Sequence, residues 1–121
     1  MRRRTRDPSD PTEKPIEWRA TSYVDLCAFP VDARRLAGFQ LGRLQQGEEA
    51  DDWKPMSIVG AGAIEVRIRC GTAHRVFVVN KFEEAIYVLH AFEKKSGKMA
   101  KSDVDLARRR YRDLIAERDR R

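Results

Sequence analysis

The chain is poor in the residues that build metal sites and disulfide frameworks. Its 121 residues include two cysteines, Cys27 and Cys70, and two histidines, His74 and His90. The cysteines form no CxxC pair and lie in apolar patterns, so we interpret them as buried thiols. Two histidines with no adjacent carboxylate or cysteine cluster are too few for most metal sites. We therefore expect no metal ion and no cofactor.

Familiar catalytic motifs and membrane segments are also missing. The sequence has no HExxH, no GxSxG, no P-loop and no dinucleotide-binding glycine pattern. Its longest apolar runs are too short to span a bilayer. The arginine-rich start, MRRRTRDPSDPTEKP, has no apolar stretch behind it and is not a signal peptide. We expect a cytoplasmic protein without a membrane partner.

Positive charge is what the chain has in excess. Lysine and arginine number 25 against 19 acidic residues, which gives a net charge of +6, and 36% of all residues are charged. The usual charged share is about a quarter. A small basic domain suggests an anionic partner, such as nucleic acid, an acidic protein or a membrane surface, and simple solubility is the alternative.

The length and the 41% apolar share predict one folded domain with a modest core of its own. Residues 1–15 are polar and punctuated by proline, without apolar periodicity. We interpret them as a disordered basic leader, whose arginines could add weak attraction to phosphate. The folded domain is predicted over residues 16–119.

The N-terminal half predicts a short strand and a helical hairpin. The strand covers 16–18, and Ser22 with Asp25 forms a capping-box pattern that begins a short helix. A broad apolar stripe predicts a second helix over 31–46, and Gly47 follows it at the C′ position.

The C-terminal half changes to strand periodicity. The stretch EEADDWKPMSIVGAG (48–62) contains proline and glycine breakers and is predicted to be a loop. IEVRIRC (64–70), HRVFVVN (74–80) and AIYVLHAF (85–92) then predict an antiparallel meander, whose third strand is apolar on both faces and therefore central. Ser102 and Asp105 repeat the capping-box pattern at the start of a last helix. The order β-α-α-β-β-β-α predicts an α+β domain, with helices packed on a small antiparallel sheet.

Basic residues converge at one end of this predicted sheet. The first and third meander strands run in the same direction, so their ends lie close together. Arg69, Arg75 and the pair Lys94 and Lys95 should therefore gather there, with Arg67 on the polar face of the first strand. Like charges held close repel each other unless an anion joins them. RNA phosphate would relieve the repulsion, because arginine offers a planar fork and lysine a movable point charge.

Such a site could bind RNA or also cleave it. Cleavage by the RNA's own 2′-hydroxyl needs stabilisation of a charge-rich phosphorane, together with proton removal and donation. Crowded cations could lower a lysine pKa enough for a general base. The arginines of the last helix (Arg108, Arg109, Arg110 and Arg112) surround that helix. They are interpreted as a solvated face, with a binding stripe as the alternative.

Several segments carry a family resemblance, which covers roughly residues 16–115. IEWRATSYVDLCAFP, LGRLQQGEEADDWKPM, IEVRIR, HRVFVV and LHAFEKKSGKMAKSDVDLARRR follow one another in order. The most specific part is F-x-K-K-x-x-K before a helix that opens with serine and carries L-A-R-R. The chain resembles the phage-related HigB-like branch of the RelE/ParE toxin superfamily, whose fold has the same element order.

The resemblance implies a toxin of a type II toxin–antitoxin pair that acts as a ribosome-dependent mRNA endonuclease (an mRNA interferase). It implies a metal-independent basic site and a cognate antitoxin, often a helix-turn-helix protein similar to HigA. A higher-order toxin–antitoxin complex is a further expectation. The alternative is a non-catalytic protein of the toxin fold that binds an antitoxin or RNA. A DNA-binding module is a third class, less favoured because no recognition-helix pair is visible.

The resemblance also implies roles for individual residues. Arg67 corresponds to a basic residue near the scissile phosphate, and Arg75 to an arginine that stabilises transition-state charge. Lys95, with Lys94 beside it, corresponds to the proposed proton donor for the leaving group. The expected RNA-binding residues are Arg69, His74, His90, Lys98 and Lys101. Well-known members have a tyrosine or histidine near the last helix, where this chain has Asp105; His74 and His90 are candidate substitutes.

Overall fold

The structure is a computed structural model that describes residues 13–95 and 97–121. The leader predicted over residues 1–15 lies outside these ranges except for its last three residues. Eight elements follow in chain order: β1 (Ile16–Trp18), α1 (Ser22–Cys27), α2 (Val31–Gln45), β2 (Trp53–Pro55), β3 (Ala63–Cys70), β4 (Thr72–Val79), β5 (Ile86–Lys94) and α3 (Lys101–Asp119).

The predicted α+β class is confirmed, with a helical hairpin and a C-terminal helix packed on one sheet. The sheet has five strands in the order β1-β5-β4-β3-β2, and β3, β4 and β5 form the predicted antiparallel meander. Two features differ from the prediction. The short edge strand β2 forms inside the predicted loop and pairs with β3, and β1 pairs with β5 in parallel, so the sheet is mixed.

Each face of the sheet covers its own apolar core. Alternate residues of β3 and β4, such as Val66, Ile68 and Val76, pack under α1 and α2. On the other face, Phe77 and Leu89 pack against α3. Strand β5 is buried on both faces over Ile86–Phe92 and lies inside the sheet between β1 and β4, although the middle strand of the five is β4.

The two predicted capping boxes do not form. Helix α1 starts after Thr21 and α3 after Ala100, and neither N-cap makes a side-chain capping hydrogen bond. Ser22 is fully buried inside α1, and its hydroxyl donates to the Val88 carbonyl at 3.0 Å. The prediction at this position was wrong because the hydroxyl ties α1 to β5 instead of capping the helix.

The predicted end of α2 is confirmed at Gly47. Its φ of +81° lies in the left-handed region that glycine adopts without strain. The Gly47 N–H donates to the Leu44 carbonyl and the Glu48 N–H to the Arg43 carbonyl. These two bonds form a Schellman motif, which satisfies carbonyls at the helix end.

The cysteines are less buried than predicted. Cys27 and Cys70 are both free and only partly buried, so the interpretation as buried thiols was wrong. Strand β3 ends at Cys70, at the turn where the sheet no longer covers its side chain fully. None of the helices in the described ranges is both long and apolar enough to cross a membrane.

Arg118 helps to anchor the C-terminal end of α3. Arg118 lies 3.6 Å above the Phe82 ring and donates to the Glu84 carboxylate at 2.7 Å. The hydrogen bond from Arg118 holds the pKa of Glu84 at about 2, below its ordinary 4.5. This contact joins the last turns of α3 to the loop between β4 and β5.

The Glu84 contact predicts a pH-dependent contribution to stability. Because the folded-state pKa is depressed, the contribution is fully present above about pH 4.5 and is lost as the pH falls towards 2. The loss should be small, since the Glu84 side chain is 36% exposed and water screens the pair. Urea unfolding measures this effect between pH 6 and 2.5 (roughly the window of these pKa values). The difference in free energy of unfolding between wild type and Arg118→Gln should become smaller as the pH falls. A free-energy difference that does not change with pH would contradict a stabilising contact between Arg118 and Glu84. An Arg120→Gln variant that shows the same pH dependence would also contradict it.

Candidate functional site

Helix α3 covers only part of one face of the sheet. The uncovered part of this face carries the predicted basic residues in rows across β3, β4 and β5. The strand register aligns Glu65 with Phe77 and His90 in one row. The next row holds Arg67, Arg75 and Phe92, and the last holds Arg69, Ala73 and Lys94. The register therefore gathers Arg69, Arg75 and Lys94 at one end of the sheet, and Lys95 follows directly after β5.

A buried ion pair lies at the centre of these rows. The Arg75 Nε donates to Glu65 Oε2 at 2.9 Å, and its Nη1 donates to the His74 carbonyl at 3.1 Å. Arg75 is 6% exposed and Glu65 is 1% exposed. The guanidinium that the resemblance links to transition-state charge is thus held inside the fold by a carboxylate.

The other Glu65 oxygen has an unusual environment. Glu65 Oε1 is buried and accepts no hydrogen bond, although three cationic side chains surround its carboxylate. The Arg67 Nε lies 3.6 Å from Oε1 and the Lys54 Nζ 3.8 Å from it, while Arg75 binds the other oxygen. The Arg67 Nε is itself buried and makes no hydrogen bond. A buried acceptor in this state is uncommon, and Oε1 can still accept a hydrogen bond from a further donor.

A second carboxylate neutralises the outer arginines. Asp52, just before β2, accepts from Arg69 Nε at 2.9 Å and lies 3.4 Å from Arg67 Nη1. The Arg67 backbone N–H also donates to the Asp52 carbonyl at 2.8 Å. The hydrogen bond from Arg69 lowers the pKa of Asp52. Glu65 and Asp52 are therefore anions of the chain itself that join the arginines and offset the expected repulsion.

The segment between β5 and α3, called the lysine loop, carries Lys95 and Lys98, and both side chains are exposed. A cleft of about 310 Å³ lies beside it and is lined by Phe92, Lys94, Lys95, Lys98 and Asp103 among others. Lys94 donates to the Gly97 carbonyl at 2.9 Å, which shapes the loop. No residue of the described ranges gives Lys95 a hydrogen bond or a salt bridge, and its side chain is exposed.

Lys101 and Asp105 form an ion pair on the first turns of α3. The Lys101 Nζ lies 2.8 Å from Asp105 Oδ2, four residues along the helix. The hydrogen bond from Lys101 lowers the pKa of Asp105. The lysine is 88% exposed, so this surface pair breaks easily and the ammonium can turn towards another anion.

His90 is buried between the sheet and α3. Its Nε2 lies 2.7 Å from Asp103 Oδ1, and its ring stacks on Phe92 at 4.7 Å between centroids. The Nδ1 is buried and has no partner. Burial, which favours the neutral ring, lowers the pKa of His90 against the opposing effect of the hydrogen bond to Asp103. His90 thus supports Phe92 and joins β5 to α3.

His74 does not belong to this cluster. It lies on the opposite face of the sheet, 2% exposed, with its ring 4.5 Å from the ring of Phe29. Its Nδ1 lies 3.2 Å from the Thr72 carbonyl. Within the described ranges, no group of three or more histidine, cysteine or carboxylate side chains is placed to hold a metal ion.

Three acidic residues of this region escaped the sequence analysis: Asp52, Glu65 and Asp103. Glu65 could have been found, because it alternates with Arg67 and Arg69 along β3 and so shares their face. Asp52 lies in the stretch predicted as a loop, and Asp103 meets His90 only through the packing of α3. No local pattern reports those two contacts.

Comparison with known proteins assigns the family. The chain belongs to the family described as Phage derived protein Gp49-like (DUF891), which it matches over residues 24–112, well over half of its length. This family is associated with RelE- and HigB-like toxins. Membership is compatible with the toxin of a toxin–antitoxin pair and suggests an antitoxin partner in general. No curated protein matched the chain.

Proposed function

We propose that this chain is the toxin of a type II toxin–antitoxin pair and that it cleaves mRNA on the ribosome. Family membership supports the toxin class. The observation that carries the chemistry is Glu65 Oε1, a buried carboxylate oxygen without a hydrogen-bond donor among Lys54, Arg67 and Arg75. A ribose 2′-hydroxyl is a donor that would complete it, and the surrounding cations suit the adjacent phosphate.

The proposed reaction needs no group beyond the side chains of this face. Phosphate binding draws Lys54 and Arg67 away from Glu65 and opens Oε1 to the 2′-hydroxyl. Lys54 is suited to this movement, because its side chain is flexible and 50% exposed. Glu65 then takes the hydroxyl proton, and the 2′-oxygen forms a bond to phosphorus.

The P–O5′ bond breaks in the same displacement. Arg67, Arg69 and Lys94 stabilise the negative charge that develops on the phosphorane. The departing 5′-oxygen takes a proton from the Lys95 ammonium, a downhill transfer because an alkoxide is far more basic than an amine. The products are a 2′,3′-cyclic phosphate and a 5′-hydroxyl. The protonated Glu65 and the neutral Lys95 return to their resting forms through water.

The second candidate is a non-catalytic protein of the toxin fold that binds an antitoxin or RNA. The neutralisation of Arg67, Arg69 and Arg75 by Glu65 and Asp52 favours it, since those arginines already have partners in the free chain. This candidate predicts RNA binding or antitoxin binding without new RNA ends.

Lys95→Ala tests the proposed site with little effect on the fold, because the side chain is exposed and no described residue pairs with it. Induction of wild type should arrest growth and create new mRNA 5′ ends inside translated codons. Lys95→Ala should reduce these ends about 100-fold, the usual cost of one transition-state contact. Lys81→Ala, which removes an exposed lysine from another surface, should behave like wild type.

Three outcomes would contradict the proposal. Arrest without new ends would show a different target, and equal cleavage by Lys95→Ala would show that the lysine loop is not the site. Soluble wild-type protein that causes neither arrest nor cleavage would favour the binding protein instead. Arrest should be reversed by co-expression of a cognate antitoxin.

A further inference from the structure

Helix α3 carries an arginine cluster that the proposed cleavage chemistry does not use. Arg108, Arg109 and Arg112 are exposed, and no hydrogen bond or salt bridge joins them to any residue of the described chain. Most other arginines of the described ranges have such a partner. On α3 itself, Arg110 donates to the Leu89 carbonyl at 2.9 Å and Arg118 binds Glu84.

The helix geometry brings the three side chains together. Arg108 and Arg112 are four residues apart and lie on one face, about 6 Å apart along the axis, with Arg109 on the flank. Lys101 starts the same face about two turns below the cluster, next to the lysine loop. Asp105 lies between Lys101 and the cluster and is paired with Lys101. The exposed side of α3 therefore extends the basic surface of the candidate site away from the sheet, with one acidic residue along the way.

The residue composition of the exposed side of α3 favours some anionic partners over others. An acidic protein gains affinity chiefly from buried apolar anchors. The large exposed hydrophobic residues of the described chain lie elsewhere, at Tyr23, Val24, Val31, Phe39 and Ile58, and none is on α3. The α3 tyrosine, Tyr111, is engaged with the Ala61 carbonyl and packs over Gly60, so it offers no ring for stacking on single-stranded bases.

We propose that Arg108, Arg109 and Arg112 form a docking surface for the backbone of duplex RNA, separate from the cleavage site. Guanidinium groups without aromatic neighbours bind phosphates and read shape rather than sequence, as double-stranded RNA requires. The choice of RNA over DNA rests on the proposed function, because the surface is continuous with a site proposed to act on RNA. Binding to this surface does not require cleavage.

The test is the salt dependence of binding to a blunt RNA duplex, measured for the full chain by fluorescence anisotropy. The variant Arg108→Gln/Arg109→Gln/Arg112→Gln should bind about 10- to 100-fold more weakly at low salt. Its slope of log K against log salt should fall by about one unit per arginine. The matched control Arg34→Gln/Arg35→Gln/Lys81→Gln removes the same charge from exposed positions elsewhere and should bind nearly as wild type does.

Equal losses in the two triple variants would overturn the proposal, because net charge alone would then explain binding. Tighter binding to a DNA duplex of the same sequence would overturn the assignment to RNA.

Polyglutamate tests whether the surface binds an acidic protein instead. It would have to bind as tightly as RNA does and lose its binding in the same variant. Wild-type duplex binding, together with no new mRNA ends in cells that express the chain, would reject the proposed function and leave duplex binding by this surface standing. If wild type cleaves mRNA in cells but the α3 variant binds the duplex as tightly as wild type does, the proposed function stands and the duplex-binding surface is rejected.

Discussion

Replacing Arg75 by alanine is expected to lower the free energy of unfolding by about 3 kcal/mol, because it leaves the buried Glu65 carboxylate without its closest partner. The two side chains are 7% and 2% exposed and meet at 2.9 Å. Lys54 and Arg67 remain near the other oxygen, which keeps the expected loss at the low end of the range for a broken buried pair. Urea unfolding followed by circular dichroism measures this change.

Arg69→Ala is the matched control for this prediction. Its guanidinium also binds a carboxylate at 2.9 Å, but the side chain is 64% exposed, so the cost should stay below about 1 kcal/mol. The double variant Glu65→Leu/Arg75→Met should recover much of the loss, because no buried charge is left unpaired. Equal effects of Arg75→Ala and Arg69→Ala would refute the buried pair.

This result would change how Arg75 variants are interpreted. An inactive Arg75→Ala protein would be ambiguous, since loss of the fold and loss of a catalytic charge give the same absence of toxicity. Lys95 and Arg69 are exposed, so their substitutions report on the site with less effect on stability. Arg75 acts through Glu65 in this structure and is better described as a positioning residue.

Glu65→Gln is expected to reduce RNA cleavage at least about 100-fold, because an amide cannot take the 2′-hydroxyl proton. Glutamine keeps an oxygen that can accept from Arg75 Nε. RNA affinity should hold or increase, since one negative charge leaves a basic face. Single-turnover cleavage and RNA binding, measured on protein whose folding has been verified, separate these two effects.

Glu65→Asp provides the control for Glu65→Gln. It keeps a carboxylate that can accept the proton, one methylene further from the substrate, so part of the activity should remain. If Glu65→Gln cleaves as wild type does, Glu65 has only a structural role and the proton acceptor lies elsewhere. A parallel loss of RNA binding and cleavage would also argue against a base, because it would indicate a collapsed site.

The architecture was largely predictable because its strongest signals are local. Alternation placed β3 and β4 and set Arg67 and Arg69 on one face, and the apolar run placed β5 inside the sheet. The short strand β2 has only three residues and includes Pro55, so periodicity could not reveal it. The parallel pairing of β1 with β5 joins residues about 70 positions apart in the chain, which no local pattern reports.

The basic residues of the site could be predicted from the sequence, whereas the contacts of its acidic residues could not. Alternation alone separates His74 from Arg75, since successive residues of β4 face opposite sides. His90 could not be placed in this way, because a bulge next to Val88 changes the alternation of β5 and turns both Leu89 and His90 towards α3. The contacts of Asp52 and Asp103 depend on the packing of segments distant in sequence.

The chemical nature of the new RNA ends tests the central claim most directly. RNA from cells that express the wild-type chain would be mapped for its new ends, and the groups at both sides of each cut would be identified. Attack by the 2′-oxygen with Glu65 as base predicts a 5′-hydroxyl and a 2′,3′-cyclic phosphate, with both absent from Glu65→Gln cells. Ends that carry a 5′-phosphate and a 3′-hydroxyl would contradict the account, because they require attack by water rather than by the ribose.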